Sequence, residues 1–336
     1  MTLTTEAPDT PEATARPTAE RQRRPRILGV LDAIMPIATV GLMVYFGVAS
    51  TAFFTVANFM VVLQQSAPLM IAAVMAAILL MSGHIDLSVG SVMAVAGVCA
   101  GLAFPAFGLL PGLAIGLAVG AVLGAVNGTL IGVFGLSPIV ITLGMLAAGR
   151  GLAQTLAPGS LFGFPPSVAR LGSGTALGVP YLVWIAAAAV LLGMLVMNRT
   201  AAGKHVVAIG VNRRAAFLNG IPVKRKIFSL YVLMGLAAGL AGVLTVARLN
   251  SAPSGTLGLG FEVAVLTAVL LGSVPFTGGK GAIWRVVLGV WLMGILKNGV
   301  TLLNIGPEVG DILTGLVLIV AAALEGVRYL LLRRHG

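Results

Sequence analysis

Residues 109–135 read LLPGLAIGLAVGAVLGAVNGTLIGVFG, an uncharged run in which glycine recurs at every fourth position. A transmembrane α-helix needs about 20 predominantly apolar residues, and this run exceeds that length. Four residues turn a helix by about 400°, so the glycines form a slowly drifting smooth stripe along which another helix can approach closely. The stripe consists of Gly112, Gly116, Gly120, Gly124, Gly128 and Gly132. The stretch therefore predicts a membrane-spanning packing helix, with Asn127 beside its stripe.

The rest of the chain has the same character. Of its 336 residues 58% are hydrophobic and 9% are charged, whereas a soluble domain carries about 25% charged residues. Together with the single cysteine, Cys99, this excludes an ordinary soluble enzyme, a disordered protein and a disulfide-stapled secreted module. The predicted fold class is an all-α polytopic membrane protein of about ten helices. The apolar segments lie at about 27–48, 55–81, 88–105, 109–135, 138–156, 180–198, 227–247, 262–278, 283–303 and 310–331.

Two of these segments carry interruptions. Pro68 predicts a break in the overlong segment 55–81, because proline removes a helical hydrogen bond. Pro275 and the glycines after it interrupt the segment 262–278. The boundaries of these two helices are therefore the least defined by sequence.

Basic residues predict the topology. Residues 1–26 are a polar tail of disordered composition that ends in several arginines, and it precedes a membrane domain at 27–336. The loop 199–226 contains no acid and seven basic residues, namely Arg199, Lys204, Arg213, Arg214, Lys224, Arg225 and Lys226. Since Lys and Arg accumulate in cytoplasmic loops, this loop and both termini are predicted to be cytoplasmic. The net charge of +11 is then a topology signal, and no nucleic-acid partner is expected.

Two Gly/Ser-rich segments suggest a weak internal repeat. Residues 82–90 read SGHIDLSVG and residues 254–262 read SGTLGLGFE, each with one acid near its end and an apolar helix after it. With five helices in each half, the two segments would lie on opposite sides of the membrane. The predicted 5+5 repeat is therefore inverted, an arrangement common in transporters.

Ionisable residues near the bundle are functional candidates because burying them in a membrane is costly. Asp86 either acts in transport or caps the helix that starts near Ser88. Arg150 pairs with an acid, lines a polar pathway, or reaches out to the interface. Three distant histidines make a metal site unexpected, and neither acid sits in a catalytic motif, so no enzyme is predicted.

Polar residues inside the apolar segments are candidates for a translocation path. The alternative for each is a hydrogen bond between helices. The candidate residues are Gln64, Gln65, Asp86, Asn127, Thr142, Arg150, Gln154 and Asn298.

The loop 199–226 contains a predicted short helix. Asn212 is a plausible N-cap, Arg213–Leu218 provides two helical turns, and Asn219-Gly220 ends them. With an exposed Leu218 and basic flanks the segment is typical of a docking element, the alternative being an ordinary basic loop. The chain lacks a nucleotide-binding loop, because such a loop needs Ser or Thr after Gly-Lys, whereas Gly279-Lys280 is followed by Gly281 and Gly203-Lys204 by His205. ATP-driven work would therefore need an ATPase on another chain.

Four segments in the same order resemble a known family. They are Gly83–Ser91 (GHIDLSVGS), Ser137–Leu152 (SPIVITLGMLAAGRGL), Ala208–Ile221 and Ser273–Ala282. From about residue 50 to 325 the chain resembles the membrane permease subunit of ribose/xylose-type sugar ABC importers, within a superfamily that includes branched-chain amino-acid permeases. His84, Ser273-Val274-Pro275 and Lys280 depart from the family pattern, which affects the substrate assignment more than the family.

The resemblance implies a role in the bacterial inner membrane. Two permease subunits, identical or sister chains, would surround one path for a monosaccharide or related polyol, in contact with membrane lipid. An extracytoplasmic binding protein would deliver the substrate, and cytoplasmic ATPase subunits would bind ATP, so that the permease itself needs no cofactor. The implied coupling residues are Gly210, Asn212, Arg213, Arg214, Ala215, Ala216, Leu218, Gly220 and Ile221. The alternative is a self-sufficient secondary transporter or channel that uses Asp86, Glu262 and Arg150.

Overall fold

The computed structural model describes residues 26–334, and the predicted tail 1–26 lies outside this range except for its last residue. The described residues form an all-α protein with two small two-stranded antiparallel sheets, β1 with β4 and β2 with β3. The helices are α1 (Arg26–Ala49), α2 (Val56–Met81), α3 (Val89–Phe107), α4 (Leu109–Gly128, continued by a π-helical turn at Thr129–Val133), α5 (Pro138–Leu156), α6 (Pro166–Ser173), α7 (Tyr181–Arg199), α8 (Ala201–Val211), α9 (Arg213–Leu218), α10 (Val223–Leu249), α11 (Phe261–Leu271), α12 (Ile283–Leu302) and α13 (Pro307–Arg334). The strands are β1 (Ser160–Leu161), β2 (Thr175–Ala176), β3 (Val179–Pro180) and β4 (Ala252–Pro253).

Ten of these helices correspond to the ten predicted segments. Within the described range, eight helices are long and apolar enough to cross a membrane. The other two, α1 and α11, contribute the shorter apolar stretches Ala33–Ala49 and Phe261–Leu271. The prediction of a multi-pass, all-α membrane protein is confirmed.

The predicted break at Pro68 is wrong. Helix α2 continues through Pro68 to Met81, and the residues around the proline are buried. The helix packs against α7, α10, α11 and α12. Because neighbouring helices hold a membrane helix on several sides, a proline inside it need not end it.

One helix end and one whole helix differ from the prediction. Helix α11 ends at Leu271 rather than at 278, because Gly272 caps it and Ser273 follows with a φ of 56°. The loop 199–226 contains a second helix, α8, that the sequence analysis did not identify. Its N-cap is Thr200, whose hydroxyl accepts the backbone N–H of Gly203 at 3.4 Å.

The spans divide into central and peripheral helices. In the apolar stretches of α2, α3, α10 and α12, between 61% and 78% of the residues are buried within the chain. In those of α4, α5, α7 and α13 the buried share is only 17–22%. Much of the surface of the peripheral helices is therefore available to lipid or to another chain.

The glycine stripe of α4 packs against α10, which runs antiparallel to it. A Cβ atom at Gly120 would collide with the carbonyl oxygen of Gly235, and one at Gly128 would lie 2.8 Å from that of Phe228. Gly116 lies against Val243 at the other end of this contact between α4 and α10, here called the seam. The contact confirms that the stripe serves close helix packing.

The third helices of the two halves, α3 and α11, run in opposite directions. The chain that leads into α11 descends along α3, with Ala252 beside Gly101, Leu257 beside Gly97 and Gly258 beside Gly90. The turn after α11 then reaches the end of α2, where the N–H of Gly279 donates to the carbonyl of Met81 at 2.8 Å. Opposite directions are what the predicted inverted repeat requires of these two helices.

Candidate functional site

The segment 82–88, here called the first break, joins α2 to α3 and is closed by side-chain hydrogen bonds. Asp86 Oδ1 accepts the backbone N–H of Ser88 at 2.8 Å and its hydroxyl at 2.6 Å. The amide of Asn127, on α4, donates to the same hydroxyl oxygen at 2.9 Å. All three side chains are buried. Asp86 thus closes the turn that precedes α3, and Asn127 fastens that turn to α4; the N-cap residue of α3 is Ser88, which makes no side-chain capping bond, so Asp86 itself does not cap the helix.

A second pair of residues holds the first break against α10. The hydroxyl of Tyr231 donates to the carbonyl of Ile85 at 2.8 Å. The ring of His84 stands edge-on to that of Tyr231, and its Nδ1 lies 2.9 Å from the carbonyl oxygen of Ser82. Burial lowers the pKa of His84, and the positive charge of Arg213 lowers it further. The lowered pKa favours the neutral ring, and the contact of Nδ1 with the Ser82 carbonyl is a hydrogen bond when Nδ1 carries the proton.

The segment 250–260, here called the second break, is held by Arg150 of α5. Arg150 Nη1 donates to the carbonyl of Leu257 at 2.6 Å, and Nη2 donates to that of Gly258. Nη2 also lies 3.7 Å from Glu262 Oε2 at the start of α11, and the two side chains are only 17% and 15% exposed. In the described range Glu262 Oε2 is buried without a hydrogen-bond donor. Of the three alternatives for Arg150, the structure shows the pairing with an acid.

The second break also contacts the first turn of α3. A Cβ atom at Gly90 would collide with the carboxylate of Glu262 and the carbonyl of Gly258, and would lie 3.0 Å from Arg150 Nη2. Only glycine therefore fits at position 90. The contact joins the beginning of α3, the beginning of α11 and the middle of α5 at one point.

The remaining path candidates are placed differently. The amides of Asn298 and Asn58 exchange two hydrogen bonds, at 2.8 and 3.0 Å, between α12 and α2. Gln64 donates to the carbonyl of Gly172, and the buried hydroxyl of Thr142 donates to its own helix. Gln65 is half-buried and Gln154 is exposed. For Asn298 the structure shows the interhelical hydrogen bond, formed with a partner, Asn58, that sequence reasoning had missed.

The short helix in the basic loop is confirmed as α9. Asn212 Oδ1 accepts the N–H of Ala215 at 2.9 Å, and Gly220 ends the helix with a φ of 80°. Ala216 packs inward, whereas Leu218 is 75% exposed. Phe217, which sequence reasoning did not single out, is 66% exposed beside it.

A pocket of about 550 Å³ lies between α9 and the start of α10. Its apolar lining comes from Phe217, Pro222 and Val223. Its basic residues are Arg213, Arg214, Lys224 and Arg225. An exposed apolar surface with basic edges and no acid suits a partner that offers carboxylates around an apolar contact.

No group of His, Cys, Asp or Glu side chains that could hold a metal ion occurs among the residues searched in the described part of the chain.

Comparison with known proteins identifies the family. Residues 58–322 match the family described as branched-chain amino acid transport system / permease component. The chain is 36% identical over 248 residues to the L-arabinose transport system permease protein AraH of Escherichia coli (strain K12), covering 73% of this chain and 75% of the relative. It is 34% identical over 301 residues to the ribose import permease protein RbsC of the same organism, covering 85% and 92%.

A further relative is the D-allose transport system permease protein AlsC of Escherichia coli (strain K12), 33% identical over 245 residues, which are 72% of this chain and 74% of the relative. No solved structure matches the chain. Since the family match spans the bundle from α2 to α13, the chain belongs to the family of branched-chain amino acid transport system permease components.

Proposed function

We propose that this chain is the permease subunit of an ABC importer that moves a monosaccharide or related polyol across the bacterial inner membrane. The observation that carries the proposal is α9, a capped helix that presents Phe217 and Leu218 within a basic surface. Such a helix is a docking element in a chain similar to permeases named for arabinose, ribose and allose. The sugars named for these relatives support the substrate class.

The energy source is a separate ATPase that docks on α9. The chain contributes no phosphate-binding loop, because its two Gly-Lys pairs, Gly203-Lys204 and Gly279-Lys280, continue with His205 and Gly281 rather than with Ser or Thr. The coupling segment is Gly210, Asn212, Arg213, Arg214, Ala215, Ala216, Leu218, Gly220 and Ile221, which spans the end of α8 and all of α9. On this basis the basic loop 199–226, the tail 1–26 and the end of the membrane domain 27–336 are cytoplasmic.

The translocation path lies between this chain and a second permease subunit, identical or related. The weakly buried helix α5 offers its exposed face to such a partner. Arg150 links that face to the second break. Arg150 therefore stands closest to the path in our proposal, with Gln64, Gln65 and the buried residues Asp86, Asn127, Thr142 and Asn298 behind it. An extracytoplasmic binding protein delivers the substrate at the opposite end.

One observation keeps the secondary transporter as a second candidate. Glu262 is an acid inside the bundle with one oxygen that accepts no hydrogen bond among the described residues. Ion-coupled carriers use such intramembrane acids to bind and release the coupling ion. In that case transport by the chain alone would depend on Glu262, Asp86 and Arg150.

Reconstitution into proteoliposomes separates the two candidates. We expect sugar uptake only when the chain is combined with its ATPase and binding protein and supplied with ATP. Reversing two charges of α9, Arg213→Glu with Arg214→Glu, should abolish uptake and weaken ATPase binding. The matched control Arg170→Glu makes the same kind of change on α6, away from α9, and should leave ATPase binding intact. Uptake by the chain alone, driven by an ion gradient and lost in Glu262→Gln, would refute the importer.

A further inference from the structure

Three segments of the chain meet backbone to backbone beside α9. They are the end of α2, the end of α8 and the turn between α11 and α12, and they contribute Gly83, Gly210, Gly278 and Gly279, here called the glycine junction. A Cβ atom at Gly210 would collide with the carbonyl oxygen of Met81. The same carbonyl accepts the N–H of Gly279 at 2.8 Å, so both contacts converge on one oxygen atom.

The glycine junction is tight on its other side as well. A Cβ atom at Gly278 would lie 2.7 Å from the backbone nitrogen of Gly83. Gly83, Gly278 and Gly279 have φ angles of 78°, 75° and 74°, a backbone conformation that favours glycine. Side chains in a contact can change rotamer to absorb a displacement, whereas close-packed backbones transmit it. Movement of one segment therefore moves the other two or breaks the hydrogen bond between Gly279 and Met81.

The chain leads from the glycine junction to α9 and to both breaks. Gly210 lies two residues before Asn212, the N-cap of α9. Met81 leads directly into the first break. The turn that contains Gly279 leads back through the single helix α11 to Glu262 and the second break. The junction is thus where α9 is connected to both breaks.

We propose that Gly210 is a positioning residue that transmits movement of α9 to both breaks. This inference rests on the proposed function, in which an ATPase moves α9. ATP-driven displacement of α9 shifts the last turn of α8. The shift displaces the Met81 carbonyl and thereby the first break. It also displaces Gly279 and thereby α11 and the second break. A side chain at position 210 separates these backbones and disconnects the motion of α9 from the path.

Spin-label distances in the complete complex with the ATPase test this directly. One pair joins Asn219, the exposed C-cap residue of α9 that is not among the coupling residues, to Leu177, and the other joins the exposed Leu259 in the second break to Leu177. In the parent complex both distances are expected to shift on ATP binding. In Gly210→Ala the Asn219 distance should still shift, while the Leu259 distance should lose its response and ATP hydrolysis should continue without sugar uptake. Gly315→Ala, a helical glycine in open space on α13, is the matched control and should behave as the parent.

A second variant covers the case in which Gly210→Ala does not fold. Inserting two glycines between Val211 and Asn212 leaves the glycine junction unchanged but loosens its connection to α9, and it should remove the Leu259 response in the same way. A Leu259 response that persists in either variant overturns the proposal. A parent complex in which the Asn219 distance itself does not respond to ATP refutes the proposed function instead, so the two failures are distinguishable.

Discussion

Replacing Arg150 by methionine removes the side chain that fastens α5 to the second break. The guanidinium donates to the carbonyls of Leu257 and Gly258 and faces the carboxylate of Glu262. Methionine keeps an unbranched apolar chain of similar length but offers none of these contacts. The two carbonyls then lose their donor, and Glu262 is left nearly buried without its partner.

The expected loss follows from these contacts. A hydrogen bond that involves a charged group contributes about 1.5–3 kcal/mol, and breaking a buried ion pair by removing one partner costs about 3–5 kcal/mol. The two terms share one guanidinium, so we expect Arg150→Met to lower the free energy of unfolding by about 3–5 kcal/mol. Glu262→Gln also removes one partner of the pair, but the guanidinium keeps both carbonyl contacts, and we expect a smaller loss of about 1–3 kcal/mol.

The double variant, Arg150→Met with Glu262→Gln, decides which contact matters more. It removes the unpaired charge but leaves the carbonyls of Leu257 and Gly258 without their donor. We expect a loss that remains at about 3 kcal/mol, close to that of the two hydrogen bonds alone. Unfolding by SDS in mixed micelles measures all three variants on one scale. A double variant as stable as the parent would refute the reasoning, because charge neutralisation would then be the only role of Arg150.

Three other predictions concern single features. Burial lowers the pKa of His84, so on acidification the unfolded chain binds a proton at this residue before the folded chain does. The free energy of unfolding should therefore fall as the pH drops below about 6.5. SDS titrations at several pH values should show a weaker pH dependence of stability in His84→Gln, and an unchanged pH dependence would contradict the role given to His84. Asn58→Leu leaves the buried amide of Asn298 unpaired and should lower the free energy of unfolding by about 1–3 kcal/mol. Adding Asn298→Leu should recover most of this loss in the same SDS titration, whereas losses that simply add would argue against the pair. Gly120→Ala forces α4 away from Gly235 and should lower the free energy of unfolding by about 1–3 kcal/mol. Gly144 faces open space, so Gly144→Ala should be nearly neutral when both variants are compared in one thermal-stability assay. Equal effects of the two variants would refute the packing argument.

Hydropathy predicted the spans well because a bilayer leaves few choices. A segment in lipid must satisfy its backbone within itself and be apolar over a fixed length. The segments predicted at 138–156 and 283–303 accordingly match α5 and α12 almost residue for residue. The short helix α9 was equally accessible, because its cap residues, Asn212 and Gly220, stand at its two ends in the sequence.

Contacts between distant parts of the chain could not be predicted from the sequence. Arg150 could be identified as unusual, but its partners include backbone carbonyls, which have no signature in the residue types that carry them. Asn298 gave no indication that it pairs with Asn58, 240 positions away. Pro68 indicated a break that packing against four neighbouring helices overrides. The residue types located the candidate site, and only the fold showed which of its members meet.

The seam between α4 and α10 has a consequence for the order in which this protein forms. In water, each glycine within a helix costs roughly 0.5–1 kcal/mol relative to alanine, because more backbone freedom is lost. In a membrane each helix forms before it meets its neighbour, so that loss falls on insertion rather than on docking. When Gly120 and Gly124 then meet Gly235, no rotamer is immobilised on either side. Helices α4 and α10 can therefore associate early and with almost no loss of side-chain entropy. The longer side chains of α2 and α12 then pack against this preformed pair.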